Sequence, residues 1–269
     1  MQMKPRFLAA AASVAALSLT LGGCATGASK TTASDGAKII DKGHLTVCTH
    51  LPYKPFQFSQ GSKVVGFDVD LMDLVAKKLG LTQKIFDTPF EGIQSGQALN
   101  TDKCDVAAAG MTITDERKRV LDFSDPYFDA TQALLVKKDS GISSLDQLSG
   151  KSIGVQEGTT GAIYVKEHAP KDADIRTFED LATETAAVKT GQVDAAVNDN
   201  GVLLDYVKTN PDTAVTKEFD TGEQYGVAVK KDGNPKLLAT INEVLAQAKK
   251  DGDYDKIYAT WFGTAKQAG

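Results

Sequence analysis

The sequence has few of the residues that mark several large classes of protein. Its 269 residues include one Trp, three Cys and three His, and the formal net charge is −5. An acidic chain without a Lys/Arg run gives no reason to expect nucleic acid as a partner. No apolar stretch of membrane-spanning length follows residue 23. The His and Cys residues lack metal-site or nucleophile–base spacing, so we expect no metal, no cofactor and no enzyme active site.

The first 23 residues have the pattern of a secretion signal. Lys4 and Arg6 precede an Ala/Leu-rich apolar segment, and the run LGGC at 21–24 resembles a bacterial lipobox. We expect cleavage before Cys24 and lipidation of its sulfur; the alternative is an ordinary signal that leaves a free thiol. Residues 24–40 are expected to be a flexible tether. The folded part would then lie outside the cytoplasm, anchored to the cell membrane by lipid.

From residue 41 the chain alternates short apolar runs with amphipathic segments, which is typical of an α/β fold. Predicted strands cover 45–49, 84–87, 106–109, 132–137, 151–156, 175–178, 193–197 and 225–230. Predicted helices cover 66–80, 90–99, 115–119, 145–148, 162–167, 182–189 and a pair within 235–262 that breaks near Gly252.

Two segments share one design, a strand followed at once by polar residues. They are 104–109 with 110–112, and 193–197 with 198–200. This repetition predicts two similar lobes, each with a doubly wound, mainly parallel sheet, and a ligand cleft outside the carboxyl ends of the strands. Lobe 1 would comprise 41–131 and 226–269, and lobe 2 would comprise 132–225. The two crossings between them would form a two-strand hinge.

The segment that follows the strand at 106–109 predicts a carboxylate site. Thr114 is a good helix N-cap, with acids in the first turn, and it places Arg117 beside N–H groups that lack helical partners. A guanidinium, the hydroxyl of Thr112 and free amides together suit a carboxylate. The alternative is that Arg117 pairs at the surface with an acid at 115, 122 or 125.

The two cysteines of the folded part present a conflict. An oxidising compartment favours a disulfide between Cys48 and Cys104. However, Cys48 lies late in its predicted strand and Cys104 at the start of another. If these strands are parallel neighbours, the sulfurs are too far apart to bridge, and we therefore expect two unpaired thiols.

Several motifs resemble the type II periplasmic solute-binding proteins of polar amino acid ABC importers, solute-binding protein family 3. They are GFDVDL at 66–71, GMTITDER at 110–117, FSDPY at 123–127, GVQEGTT at 154–160, DYDKIY at 253–258 and WFG at 261–263. The resemblance covers about residues 41–263. It implies a two-lobed, monomeric receptor that delivers a polar amino acid to an ABC permease with its ATPase. A cyclohexadienyl-dehydratase-like enzyme and a sensory module are the alternatives on this fold.

The resemblance also implies a role for each residue of the site. Arg117, helped by Thr112 and nearby backbone amides, would bind the α-carboxylate of the ligand. Asp199 and the carbonyl of Gly110 would bind its α-ammonium group, and two aromatic residues would flank its side chain. The full predicted set is His50, Tyr53, Phe90, Gly110, Met111, Thr112, Arg117, Gln156, Thr159, Thr160 and Asp199.

Three residues decide the expected preference for the side chain of the ligand. His50 stands where many relatives carry an acid, and a neutral imidazole suits an amide. Glu91 and Glu157 would bring negative charge to the outer end of the slot. We therefore predict basic amino acids first, glutamine or another neutral polar amino acid second, and acidic amino acids third.

Overall fold

The computed structural model describes residue 2 and residues 30–263. The predictions for the signal sequence, for Cys24 and for the first part of the tether lie outside these residues. Within them, no helix has both the length and the apolar character that crossing a membrane requires.

The strands in chain order are β1 (Thr31–Thr32), β2 (Lys38–Ile39), β3 (His44–Thr49), β4 (Phe58–Gln60), β5 (Lys63–Val65), β6 (Thr82–Asp87), β7 (Val106–Ala107), β8 (Leu121–Phe123), β9 (Phe128–Lys137), β10 (Ser152–Gln156), β11 (Asp174–Phe178), β12 (Ala195–Asp199), β13 (Thr213–Tyr225) and β14 (Ala228–Lys230). The helices are α1 (Phe67–Lys78), α2 (Phe90–Gln94), α3 (Gln97–Asn100), α4 (Asp115–Lys118), α5 (Thr160–His168), α6 (Leu181–Thr190), α7 (Asn200–Thr209), α8 (Pro235–Asp251) and α9 (Asp253–Phe262), with a 3-10 helix at Leu145–Leu148.

Two five-stranded sheets carry the two lobes. The first has the order β6-β3-β7-β14-β8, and the second has the order β11-β10-β12-β9-β13. In each sheet the first three strands are parallel, whereas β14 in one and β9 in the other run antiparallel to their neighbours. The predicted α/β fold with two mainly parallel sheets is therefore confirmed. Because β14 follows the second sheet along the chain, the first lobe is discontinuous.

The two chain crossings between the sheets pair with each other. Strand β13 runs antiparallel to β9, with Tyr225 opposite Phe128 and Glu223 opposite Ala130. The sequence predicted extended structure only from residue 225, not from residue 213 where β13 begins. Much of β13 is exposed and polar because it forms the edge of its sheet, and charged side chains are common on edge strands.

The predicted helix over 90–99 is two short helices instead. Gly96 separates α2 from α3 with a φ of 77°, a left-handed conformation that glycine adopts without steric cost. The predicted start of α4 is confirmed, since the Thr114 hydroxyl accepts the backbone N–H of Arg117 at 3.1 Å.

The prediction of a flexible tether is wrong for residues 30–40. Strands β1 and β2 form an antiparallel hairpin, and Ala37 and Ile39 are fully buried in the core of the first lobe. The N–H of Ile40 also donates to the Asp105 carboxylate at 2.8 Å. Composition did not indicate this, because only three small or branched apolar side chains, those of Ala33, Ala37 and Ile39, anchor the hairpin.

The prediction of two unpaired thiols is also wrong, because Cys48 and Cys104 form a disulfide with a Cα–Cα distance of 5.7 Å. Strand β7 begins only at Val106, so Cys104 precedes the paired part of the strand. From that position its side chain enters the same apolar cluster as that of Cys48. The argument from parallel register therefore did not apply to it.

An aromatic cluster fixes the ends of the hinge strands against the first lobe. Phe56 lies at its centre, with its ring centroid 4.9 Å from that of Phe128 and 5.2 Å from that of Tyr225. Phe67 of α1 and Phe262 of α9 pack on the same ring, at 6.1 and 5.3 Å. These ring contacts, most of them edge-to-face, add to the stability given by burial and orient Tyr225, whose hydroxyl group donates to Asp199.

Candidate functional site

One cleft lies between the two sheets. It is lined by His50, Tyr53, Phe90, Ala109, Gly110, Thr112, Arg117, Gln156, Thr159, Thr160 and Asp199. The predicted set therefore converges here, apart from Met111. The Met111 side chain is fully buried in the apolar cluster beneath the cleft, and Ala109 lines the cleft in addition.

Arg117 is the cation of the cleft. Its side chain is only 4% exposed, and its guanidinium lies 5.2 Å from the centre of the Phe90 ring. Nη1 donates to the Thr112 carbonyl at 2.8 Å, and Nη2 donates across the cleft to the Gly158 carbonyl at 2.9 Å. The alternative that Arg117 pairs with a surface acid is therefore wrong. Burial lowers the pKa of Arg117, and Asp199 opposes this shift.

Asp199 is the anion on the opposite lobe, at the end of β12. One carboxylate oxygen accepts the hydroxyl groups of Tyr53, at 2.8 Å, and of Tyr225. The other accepts the side-chain amide of Gln132 at 2.5 Å. Burial raises the pKa of Asp199 to about 6, and the negative charge of Glu223 adds to that shift. Because Tyr53 belongs to the first lobe, its bond to Asp199 joins the lobes and the cleft is closed.

Gly110 forms the floor of the cleft between these charges. Its φ is 56°, and a Cβ at this position would lie 2.8 Å from Cε1 of Tyr53, so only glycine fits against that ring. The N–H of Gly110 donates to the Asp68 carboxylate at 2.7 Å, and Tyr127 donates to the second oxygen at 2.8 Å. Burial raises the pKa of Asp68 to about 7.

The sequence profile of the bacterial extracellular solute-binding proteins, family 3, matches residues 45–264. The chain belongs to this family.

Individual proteins are similar over most of the chain. A probable histidine-binding protein of Neisseria gonorrhoeae is 36% identical over 281 aligned positions, which cover 100% of this chain and 98% of that protein. The solved structure of an ancestral arginine-binding protein bound to arginine has a TM-score of 0.77 and 47% identity, covering 82% of this chain and 99% of that one. The ancestral amino acid-binding protein AncCDT-1, a precursor of cyclohexadienyl dehydratase, has a TM-score of 0.76 and 43% identity, covering 82% and 96%.

In this family-3 protein, a hydrogen bond fixes which ring nitrogen of His50 carries the proton. Its Nδ1 lies 3.1 Å from the carbonyl oxygen of Thr88, which can only accept, so Nδ1 carries the proton. Nε2 is buried and has no hydrogen-bond partner among the described residues. In the neutral ring Nε2 is therefore an acceptor.

Two further residues of this family-3 protein form part of the site although the sequence did not indicate them as ligand-site residues. The carboxylate of Glu223 accepts the hydroxyl groups of Thr112 and Thr160, each at 2.7 Å. The Gln132 amide donates to Glu223 at 3.0 Å as well as to Asp199. Gln132 lies in a segment predicted only as a connector. Glu223 lies in a segment for which no strand was predicted. A polar side chain within an extended run was the only local signal available.

Gln156, which the resemblance placed in the site, belongs to a buried amide network behind Asp199. Its Oε1 accepts the side-chain amide of Asn198 at 3.4 Å, and Asn198 also donates to Glu184 at 2.6 Å. Burial raises the pKa of Glu184 well above its ordinary value. Asn198 in turn accepts the Tyr53 hydroxyl at 3.0 Å, so this network fixes the strand end that carries Asp199.

The two acids predicted at the outer end of the slot are exposed and are not among the residues that line the cleft. Glu91 nevertheless lies close to the opposite lobe, since a Cβ on Gly158 would come within 2.9 Å of its carboxylate. Glu157 follows β10 on the solvent side. Negative charge from Glu91 is thus present near the mouth, whereas Glu157 contributes no contact inside.

Proposed function

We propose that this chain is the receptor of an amino acid ABC importer, and that it binds one polar L-amino acid between its lobes and delivers it to the permease. The observation that carries this proposal is the pair of buried charges of opposite sign, Arg117 and Asp199, on opposite walls of one cleft. Their hydrogen bonds go to carbonyl groups and to neutral donors, and no salt bridge between them occurs within the described residues.

A zwitterion fits this arrangement. An α-carboxylate would meet the planar guanidinium of Arg117, which binds carboxylates through two parallel hydrogen bonds. An α-ammonium group would meet Asp199, which already accepts from both lobes. Each charge enclosed by closure then has an opposite charge beside it, as burial requires.

His50 supports a preference for the side chain of the ligand. Its buried Nε2 is an acceptor, so it suits a side chain that ends in N–H groups, as in arginine, lysine or glutamine. A carboxylate would require the ring to be protonated first. Glu91 near the mouth favours a cation further. We therefore rank basic amino acids first, glutamine second and glutamate third; the arginine- and histidine-binding relatives are in keeping with this order.

Further parts of the proposal concern the whole molecule. We propose a monomer that is lipid-anchored through Cys24 outside the cytoplasm, with lobes at 41–131 plus 226–269 and at 132–225. We also propose that the chain is a receptor without enzymatic activity. A dehydratase needs an acid or base that is free to act on its substrate. Glu157 lies outside the cleft, His50 lines it, and Asp199, which also lines it, would be paired with the α-ammonium group of the ligand.

Titration calorimetry with arginine, lysine, glutamine and glutamate tests the function. Arg117→Ala should weaken binding by two to three orders of magnitude or more, because removing one partner of a buried charged pair costs about 3–5 kcal/mol. Arg119→Ala is the matched control, since Arg119 lies two residues further on and is exposed. Equal affinities in the two variants would remove Arg117 from the site, and tightest binding of glutamate would overturn the interpretation of His50.

A further inference from the structure

The polar network at the hinge side of the cleft converges on Glu223. One oxygen of its carboxylate, Oε2, accepts the hydroxyl group of Thr112 from the first lobe and that of Thr160 from the second, each at 2.7 Å. The other oxygen, Oε1, accepts the amide of Gln132 from the first hinge strand at 3.0 Å. Glu223 itself lies where the pairing of β13 with β9 shifts register.

These bonds fix the polarity of both threonines. A hydroxyl group has one proton to donate and two lone pairs. Thr112 and Thr160 donate that proton to Glu223, so towards a bound molecule their oxygens can only accept. The expectation that the Thr112 hydroxyl helps Arg117 to bind a carboxylate therefore does not fit this geometry. A ligand carboxylate carries no proton to offer at neutral pH, whereas an ammonium group carries three donors.

The same network holds two carboxylates side by side. The Nε2 atom of Gln132 donates to Asp199 at 2.5 Å and to Glu223 at 3.0 Å. The guanidinium of Arg117 does not separate them, because its hydrogen bonds go to the carbonyl groups of Thr112 and Gly158. Arg117 interacts electrostatically with both carboxylates and offsets only one of the two negative charges. This part of the cleft, with its two hydroxyl acceptors, therefore keeps a net negative charge that a cation would match.

We propose that Glu223 is a positioning residue for the ligand: it fixes Thr112 and Thr160 as acceptors and, with Asp199, makes the hinge side of the cleft the place of the α-ammonium group. This inference rests on the proposed amino acid receptor and adds to it. The contrary interpretation is that Glu223 occupies the place of the ligand α-carboxylate, so that a ligand has to displace it.

The substitution Glu223→Gln distinguishes these two interpretations of Glu223, since it removes the negative charge and keeps the shape of the side chain. The probes are L-arginine and L-argininamide, which lacks the α-carboxylate but keeps the ammonium group. Binding is measured by calorimetry, and by thermal shift at high concentration where it is weak. If the wild-type protein prefers glutamine, then glutamine and its α-amide replace L-arginine and L-argininamide as the probes. Glu218→Gln on the same strand, exposed and bonded to Asn200, is the matched control.

We expect Glu223→Gln to weaken both probes by a similar factor of about tenfold or more, the effect of one lost charge-assisted hydrogen bond. Glu218→Gln should change neither affinity. Thr112→Val, which removes one acceptor, should also weaken the binding of both probes. This variant takes the place of Glu223→Gln if the latter does not fold. Unchanged affinities, stronger arginine binding, or a response confined to arginine would each overturn the proposal.

The outcomes for the receptor function are separate. A wild-type protein that binds no amino acid refutes the receptor itself. A wild-type protein that binds arginine or glutamine, with both affinities unchanged in Glu223→Gln, refutes only the role of Glu223.

Discussion

The disulfide between Cys48 and Cys104 should contribute a large part of the stability of the first lobe. The two residues are 56 positions apart. In the chain-entropy model, closing a loop of that length lowers the entropy of the unfolded chain by about 14 cal/mol/K, which corresponds to about 4 kcal/mol at room temperature. Globular domains have total stabilities of about 5–15 kcal/mol. Cys48→Ala with Cys104→Ala should therefore bring this lobe close to the limit of folding.

Equilibrium unfolding in urea measures the effect. Trp261 is the single Trp of the chain, and its indole N–H donates to Asp70 at 2.7 Å, so its fluorescence reports on the first lobe. The double variant should lose about 4 kcal/mol in the extrapolated free energy of unfolding. The wild-type protein unfolded and refolded in reductant is the control and should behave like the variant. A loss below about 1 kcal/mol in both would refute the loop-closure reasoning.

Three other predictions follow from the cleft, the hinge and the N-terminus. Because burial raises the pKa of Asp199 to about 6, protonation below that pH removes the partner of the ammonium group. Amino acid affinity should then fall by up to about tenfold per pH unit below about pH 6 and level off above about pH 7; a flat calorimetric profile contradicts this. The paired strands β9 and β13 should allow opening once the contacts between the lobes, such as those of Arg117 with Gly158 and of Tyr53 with Asp199, break. Ligand should then reduce the radius of gyration in small-angle scattering, and an unchanged radius at saturation counts against closure. Cys24→Ser should release the protein from membranes without changing affinity, and equal retention of this variant would exclude the anchor.

The parts of the fold that could be predicted are those specified by local pattern. Strand β3 and helix α1 each carry an apolar run or stripe bounded by turn residues, and both occur close to their predicted positions. The convergence of Arg117 and Asp199 was also predictable, because Asp199 ends one buried strand and Arg117 lies in the helix that follows another. Their assignment to opposite ends of an amino acid came from the family motifs and stays a prediction.

The parts that could not be predicted depend on contacts between distant segments. Glu223 belongs to the site only because β13 pairs with β9 and brings it beside Thr160. Cys104 meets Cys48 because a turn, not a paired strand, carries it. The N-terminal hairpin is ordered because Ile39 packs into the hydrophobic core of the first lobe. None of these three partners is near in sequence, so no local periodicity signals them.

The position of β14 has a consequence for how the protein is made. This strand lies between β7 and β8 in the interior of the first sheet, yet its residues, Ala228–Lys230, come after the whole of the second sheet in the chain. The second lobe is one uninterrupted segment and has all its strands once β13 has emerged. The first lobe, although it begins the folded chain, lacks an inner strand until then. A product truncated before residue 228 would therefore keep a complete second sheet and expose the unpaired edges of β7 and β8, a surface open to aggregation.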